Sequence, residues 1–304
     1  MLLVQMRARA HHTLSRALTH TGRAEPVLRR AACAMRSRLK RGDAVVNPVH
    51  VQGFTLYHRE NAPEWAHGWA TGNYELTTVD TLRRILRPGM TMLDIGANIG
   101  YLSLIAARSL GPRGHVYAFE PDPDNRAVLE RNIRANAMAC IEIVPMAVGR
   151  VAGSLDLHVN TDESGALSTL YAGAMAVHGG NWKTVRVEGT TLDAWAVACG
   201  WPAVHVIKLD IEGAELDALA GAGEVLRRNP EVVLIVEMAL ESLDATGVTA
   251  ESFLVALHAA DSGYVRAITE RGLELVVDAT SILQLTKGHA KPTVNLFCSR
   301  SPDA

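Results

Sequence analysis

The chain has 304 residues, is 48% hydrophobic and 20% charged, and carries a formal charge of −2. These values describe a soluble globular protein with a sizeable core, and exclude composition-driven disorder and a nucleic-acid partner held by bulk charge. The average hides an asymmetry: residues 1–45 hold ten Lys/Arg against Glu25 and Asp43, a net +8 that leaves −10 on the rest. This basic arm reads first as a solvated helix packing on the main domain, with contact to a membrane surface or another polyanion as the alternative.

No run of 18 apolar residues is present, so no transmembrane segment is expected. The opening Met-Leu-Leu-Val precedes the basic residues, the reverse of a secretory signal. The cysteines at 33, 140, 199 and 298 show no metal-ligand spacing, and three of them lie in or beside apolar segments. Free buried thiols of this kind fit a reducing compartment, and the expected location is the cytoplasm.

Residues 46–76 hold Pro48, Pro63 and several aromatics and read as an irregular lead-in or lid. A helix is expected over 77–86, stopped by Pro88-Gly89, followed by a buried strand over 91–95 and a helix over 101–110. A second strand spans 115–119, a helix 124–136, and a third strand region covers 141–144 and 146–148. Residues 150–191 break this rhythm. Two period-two runs, 155–159 and 184–188, flank a Gly/Ala/Ser-rich stretch and point to an antiparallel insertion with a loop. The alternation then resumes with a strand over 204–209, a helix over 214–226 and a strand over 232–236 ending at Glu237. A helix over 250–260 and strands over 264–268 and 294–298 complete it. Alternating strands and helices predict a parallel sheet covered on both faces.

Gly96 and Gly100 follow the first strand, where a turn must be tight and a Cβ would obstruct a ligand. Glu120 ends the second strand, twenty residues past Gly100, the position from which a carboxylate can accept both ribose hydroxyls of a nucleoside. The dinucleotide pattern G-x-G-x-x-G is absent, because Asn98 and Tyr101 occupy two of its positions. Asp94, two residues before the first glycine, would repel a pyrophosphate but suits the amino group and sulfonium of S-adenosylmethionine. The bland alternative is an Asp that caps a helix and a Glu that is merely solvated.

The run Leu86 to Tyr101, with Asp94-Ile95-Gly96-Ala97-Asn98-Ile99-Gly100 at its centre, resembles the first motif of the FkbM family of methyltransferases. Phe119-Glu120-Pro121, Asn132 with Asn136, and Thr191-Leu192-Asp193 are similar to further motifs of that family. Lys208-Leu209-Asp210-Ile211-Glu212-Gly213-Ala214-Glu215 is similar to its Lys-x-Asp-x-Glu-Gly-x-Glu signature. The resemblance covers roughly residues 72–240 and implies a Rossmann-like class I methyltransferase. Its fold would be a mainly parallel seven-stranded sheet with helices on both faces, plus the insertion. It also implies S-adenosyl-L-methionine as cofactor and O-methylation of a hydroxyl on a sugar, glycolipid or polyketide-type small molecule. The cofactor set would be Asp94, Gly96, Ala97, Asn98, Gly100, Glu120 and Pro121.

Asp210 ends a strand next to the first one and is the expected base or orienting group for the acceptor hydroxyl. Lys208 and Glu212 would pair with it or with the substrate. The alternative is a divalent metal bound by Asp210, Glu212 and Glu237. Glu75, Ser168 and Glu237 are expected near the acceptor. For Glu215 a salt bridge on the face of the following helix is weighed equally with a catalytic role. The tryptophans at 65, 69, 182, 195 and 201 read as packing before acceptor-binding, and His205 as a core residue. Two rival functions share much of this pattern: a nicotinamide-dependent oxidoreductase and a module that binds the cofactor without turnover.

Overall fold

The structure, a computed structural model, describes residues 48–59, 68, 71–162, 167–260, 263–276, 278–287 and 292–302. The basic arm with Cys33, the residues Trp65 and Trp69, and the insertion tip at 163–166 lie outside the described residues.

Gln52 and Gly53 both take positive φ (52° and 84°), the geometry that folds β1 (Val49–Val51) back on β2 (Phe54–Leu56) as a hairpin. This part of the lead-in is stapled to the domain. The Asn132 and Asn136 side chains bond the N–H and C=O groups of Tyr57 and Thr55 at 2.7–3.0 Å, imitating a neighbouring strand. Helix α1 (Leu76–Ile85) follows, then β3 (Thr91–Ile95), α2 (Tyr101–Leu110), β4 (His115–Phe119), α3 (Pro123–Ala135) and β5 (Ile141–Val144).

The chain then leaves the main sheet. β6 (Ala147–Val148), β7 (Gly153–Asn160), β8 (Ser168–Thr169), α4 (Gly173–His178) and β9 (Trp182–Thr190) build the insertion, with strand order β6-β9-β7-β8. The pair β7–β9 is antiparallel as the alternation predicts. Residues 147–148, however, do not extend β5; they pair parallel with β9, so the third strand stops at Val144.

After α5 (Leu192–Ala198) the chain returns through β10 (Val206–Leu209). The helix expected over 214–226 is two, α6 (Glu215–Ala220) and α7 (Gly223–Arg228). The break falls at Gly221, where a Cβ would lie 2.5 Å from the Gly149 carbonyl oxygen. The Asp193 carboxylate accepts from the N–H groups of Glu224 and Val225 and so caps α7. β11 (Val233–Ala239) runs past Glu237 instead of ending there. It is followed by α8 (Leu240–Thr246), α9 (Ala250–Ala259), β12 (Tyr264–Thr269), β13 (Gly272–Leu275), α10 (Ala279–Thr286) and β14 (Thr293–Ser299).

The main sheet has the order β13-β12-β14-β11-β10-β3-β4-β5. Five strands, β11 through β5, are parallel, and β14, β12 and β13 are antiparallel. The seven expected strands become eight because residues 272–275 turn back at Gly272 and pair with β12. Alternate residues feed two cores. Leu93, Ile95, Ile207, Leu209, Leu234 and Val236 face one layer of helices, while Met92, Val116, Val206, Ile235 and Phe297 face α1 and α2. Both faces are covered, as a parallel sheet requires. No helix among the described residues is long and apolar enough to cross a membrane.

The connections run outward from β3 through β4 and β5, and then restart on the other side of β3 at β10. This reversal opens a crevice at the carboxyl ends of β3 and β10, where ligands of open α/β sheets bind.

Candidate active site

A cavity of about 380 Å³ occupies that crevice. Its floor follows from register. Lys208 lies opposite Asp94 in the β10–β3 pair, and Glu237 opposite Asn295 in the β11–β14 pair. All four share the face that Met92, Val206, Ile235 and Phe297 make apolar. One face of the sheet is therefore hydrocarbon along most of its length and ends in a row of polar groups, closed from above by Glu75 at the start of α1.

The loop after β3 is fixed by backbone. Gly96 and Ala97 donate to the Phe119 carbonyl at 3.0 and 2.9 Å. Gly96 has φ +87°, and a Cβ there would stand 2.0 Å from the Asp210 carbonyl oxygen, so the two strand ends meet at a distance only glycine permits. Glu120 Oε2 accepts from Asn98 N–H and Oε1 from Asp122 N–H, each at 2.8 Å. The carboxylate expected to await a ribose thus also braces the loop. Burial pushes its pKa up to about 7 in spite of those two bonds. Asp94 is almost wholly buried, accepts from Ser103 Oγ at 2.5 Å, and is raised by burial against the pull of Lys208.

Lys208 is the centre of the row. Its side chain is 2% exposed, and its Nζ lies 2.5 Å from Asp210 Oδ2. Burial works against the ammonium, but Asp210, Glu75, Asp94 and Glu237 together outweigh it and hold it protonated. Burial would raise Asp210 as well, yet Lys208 and a hydrogen bond from Glu237 keep it below its ordinary range. Glu237 is pushed well up, by burial and then by the charges of Asp210 and Glu212, and carries the proton it shares with Asp210. Asp210, Glu212 and Glu237 each place a carboxylate oxygen within 4.8 Å of the others, a spacing that could hold a metal ion.

Glu75, Asn98 and Glu212 have φ of +44°, +52° and +53°, and all three line the cavity. Non-glycine residues in that region are strained, and such strain gathers at functional sites. Glu212 is held by Ser242 Oγ on its carboxylate (3.1 Å) and by Thr169 Oγ1 on its carbonyl (2.8 Å). Glu215, weighed as a helix-face ion pair or a catalytic group, does something else. It is buried and accepts from the N–H groups of Ile211 and Gly213 at 3.0 and 3.1 Å, clamping the loop that carries Glu212. Its pKa rises to about 7, chiefly through burial.

The cavity walls bring together Asp94, Gly96, Ala97, Asn98, Glu120, Pro121, Lys208, Asp210, Glu212 and Glu237, with Glu75 and Ser168. Gly100 is not among them; it caps α2 from behind, where a Cβ would meet Leu129. Tyr74, His178, Ser242 and Asn295 also line it and were not legible as site residues. Asn295 left a faint signal as the one polar residue in Val294-Asn295-Leu296-Phe297-Cys298, whereas His178 left none. No described tryptophan reaches the cavity. Trp195 packs edge-on against Tyr117 and Phe119, and Trp201 lies under Arg228. His205 bridges strands, its Nδ1 accepting from Thr91 N–H. Cys298 is buried as expected, but Cys199 is exposed.

An open, mainly parallel α/β sheet with a glycine loop after its first central strand and a polar crevice at the switch point defines a class I methyltransferase fold. The chain belongs to the FkbM methyltransferase family, whose Methyltransferase FkbM domain matches residues 94–264, and that family uses S-adenosylmethionine. Among curated proteins it is 26% identical over 187 residues to the 2-O-methyltransferase NoeI of Sinorhizobium fredii, covering 58% of this chain and 76% of NoeI. It is 25% identical over 161 residues to the hexuronic acid methyltransferase AglP of Haloferax volcanii, covering 53% of this chain and 62% of AglP. Among solved structures, methyltransferase FkbM from Methylobacillus flagellatus aligns with 18% identity and a TM-score of 0.41, over 78% of this chain and 55% of that one.

Proposed function

We propose that this chain methylates a hydroxyl oxygen of a sugar residue, free or within a glycan or glycolipid. The observation that carries this reading is the Lys208–Asp210–Glu237 row standing at the mouth of the Gly96 loop. The names of NoeI and AglP point the same way, since one is a 2-O-methyltransferase and the other acts on a hexuronic acid.

The residues present fit S-adenosylmethionine. Gly96 lets the loop fold tightly against the Asp210 backbone and so line the crevice with main chain, and Asp94 and Asp210 give the crevice the negative charge that a sulfonium and an ammonium need. Asp94, Gly96, Ala97 and Asn98 would hold the amino-acid end, with Gly100 shaping the turn. Glu120 and Pro121 would hold the nucleoside. The remaining acceptor capacity of Glu120 is enough for this, because each carboxylate oxygen has a second lone pair. The bound cofactor supplies an electrophilic methyl group.

The chain supplies the other half of the reaction. Asp210 lies beside the acceptor hydroxyl and takes its proton as the oxygen forms its new bond to carbon. Its lowered pKa does not disqualify it, because a hydroxyl becomes strongly acidic as it is alkylated. Lys208 keeps that carboxylate ionised and fixes its orientation, which is where positioning enters the rate. Ser168 and Glu75 border the acceptor.

Labelled methyl transfer into fractionated cell extract tests the reading. Label in a carbohydrate pool supports it. Cofactor binding with no label in any pool would reduce the protein to a module that binds without turnover. Asp210→Asn should lower the rate by about 10²–10⁴, the usual worth of a general base; near-normal turnover would remove Asp210 from the mechanism.

A further inference from the structure

Five of the residues lining the cavity, Tyr74, Glu75, Pro292, Thr293 and Asn295, lie outside the span matched to the family, residues 94–264, and two of them meet. Glu75 precedes it and Asn295 follows it, and they touch: Asn295 Nδ2 donates to Glu75 Oε2 at 3.2 Å and to Thr78 Oγ1 at 3.1 Å. Asn295 sits directly across the strand pair from Glu237, so the two side chains share the cavity face. Asn295 Oδ1 is buried and meets no donor among the described residues. Buried acceptors are normally satisfied, and one left open at a ligand cavity marks where a ligand's donor belongs.

Glu75 is held there at some expense. It adopts φ +44°, ψ +45° as the first cap of α1, a conformation a glycine would fill without strain, and makes no capping bond. What the strained backbone achieves is to bring the carboxylate beside Asn295 and toward Lys208, whose charge it shares with Asp210.

We propose that Asn295 and Glu75 form a clamp for a second hydroxyl of the acceptor, next to the one that is methylated, and so select polyols with neighbouring hydroxyls. Resting on the sugar reading above, this goes further in naming the feature recognised. Oδ1 of Asn295 and the Glu75 carboxylate both accept, so the group between them must donate twice or belong to a pair of donors. A vicinal diol meets that demand; a lone hydroxyl on an apolar skeleton does not. Asn295 acts in binding and orientation and takes no part in proton transfer.

The test uses Asn295→Leu and Glu75→Gln in the full chain, with the carbohydrate pool that accepts label from the wild type as acceptor and S-adenosylhomocysteine as the cofactor probe. Asn295→Leu should raise the amount of pool needed for half-maximal labelling at least tenfold, with a smaller loss of maximal rate and unchanged calorimetric affinity for S-adenosylhomocysteine. Asn295→Gln should recover part of the loss. Glu75→Gln, which preserves shape, should move half-saturation in the same direction and keeps the question open to refutation if Asn295→Leu folds poorly. Unchanged half-saturation in both variants, or a fall in cofactor affinity parallel to the fall in activity, would overturn the clamp. If the wild type labels no carbohydrate pool at all, the sugar reading fails first and the clamp with it, an outcome distinct from a labelled pool that the variants use equally well.

Discussion

Replacing Lys208 by methionine perturbs the site at its electrostatic centre. Methionine fills nearly the same volume, so the change is mainly one of charge. In the wild type the ammonium is 2% exposed and touches Asp210 at 2.5 Å, with Asp94, Glu75 and Glu237 also leaning on it. Its removal leaves Asp210 and Asp94 buried with no cation between them. Breaking a buried pair from one side costs about 3–5 kcal/mol, because the surviving charge keeps its desolvation penalty without its partner. With a urea slope of about 3 kcal/mol/M, the midpoint should fall by about 1–1.7 M. The loss should also depend on pH. Without Lys208 the folded-state pKa of Asp210 rises above its unfolded value and that of Asp94, already raised, rises further, so the folded variant takes up protons as pH falls. Its deficit is therefore largest near pH 7.5 and shrinks toward pH 5. Asp210→Asn should cost less than Lys208→Met, because the ammonium keeps Glu75 and Asp94 beside it, and the double variant should be more stable than Lys208→Met alone. Urea melts at pH 5.5 and 7.5 settle the matter: a deficit under about 1 kcal/mol, or one equal at both pH values, would show that the row is not held by this charge.

Gly96→Ala should abolish binding of S-adenosylhomocysteine in a calorimeter, since left-handed backbone alone costs about 1–2 kcal/mol for an L-residue and the new Cβ would also strike the Asp210 carbonyl. Retained affinity would mean the loop is looser than its hydrogen bonds imply. Glu215, raised to about 7 by burial, binds its proton more tightly folded than unfolded, so wild-type stability should decline from about pH 4.5 to 7 and level off above. Glu215→Gln should flatten that decline in thermal melts, and an unaltered slope would assign it to other groups. Methyl transfer should persist in EDTA, because Lys208 already occupies the cationic position beside Asp210; loss restored by Mg²⁺ would make Asp210, Glu212 and Glu237 a metal site.

The parallel core was legible because its strands are short apolar runs bounded by glycine, proline or charge, and the loop because Gly96 and Gly100 stand at a strand-to-helix junction. The signature from Lys208 to Glu215 located the site but concealed a division of labour. Lys208 and Asp210 face the cavity, whereas Glu215 turns back on its own loop to bond Ile211 and Gly213. Sequence spacing cannot separate these, because the reversal depends on positive φ at Glu212 and Gly213. The Asn132 and Asn136 motif likewise proved to be scaffold, holding the chain at Thr55 and Tyr57. The eighth strand was missed because 272–275 is only four residues long, too brief to show an alternation. Asn295 was missed because its meaning comes from a partner 220 residues away.

The place of β14 bears on how the protein is made. It is the last strand among the described residues, yet it lies inside the sheet, between β11 and β12. During synthesis the preceding strands emerge with a gap between them, and both gap-lining edges stay unpaired until residue 299 has left the ribosome. Local pairing cannot close that gap, so the final step of assembly is the insertion of a distant segment, a slow kind of contact that leaves open edges exposed meanwhile. The same insertion delivers Asn295 to Glu75. A nascent chain can thus assemble its Gly96 loop early, while the complete cavity appears only when the sheet is sealed.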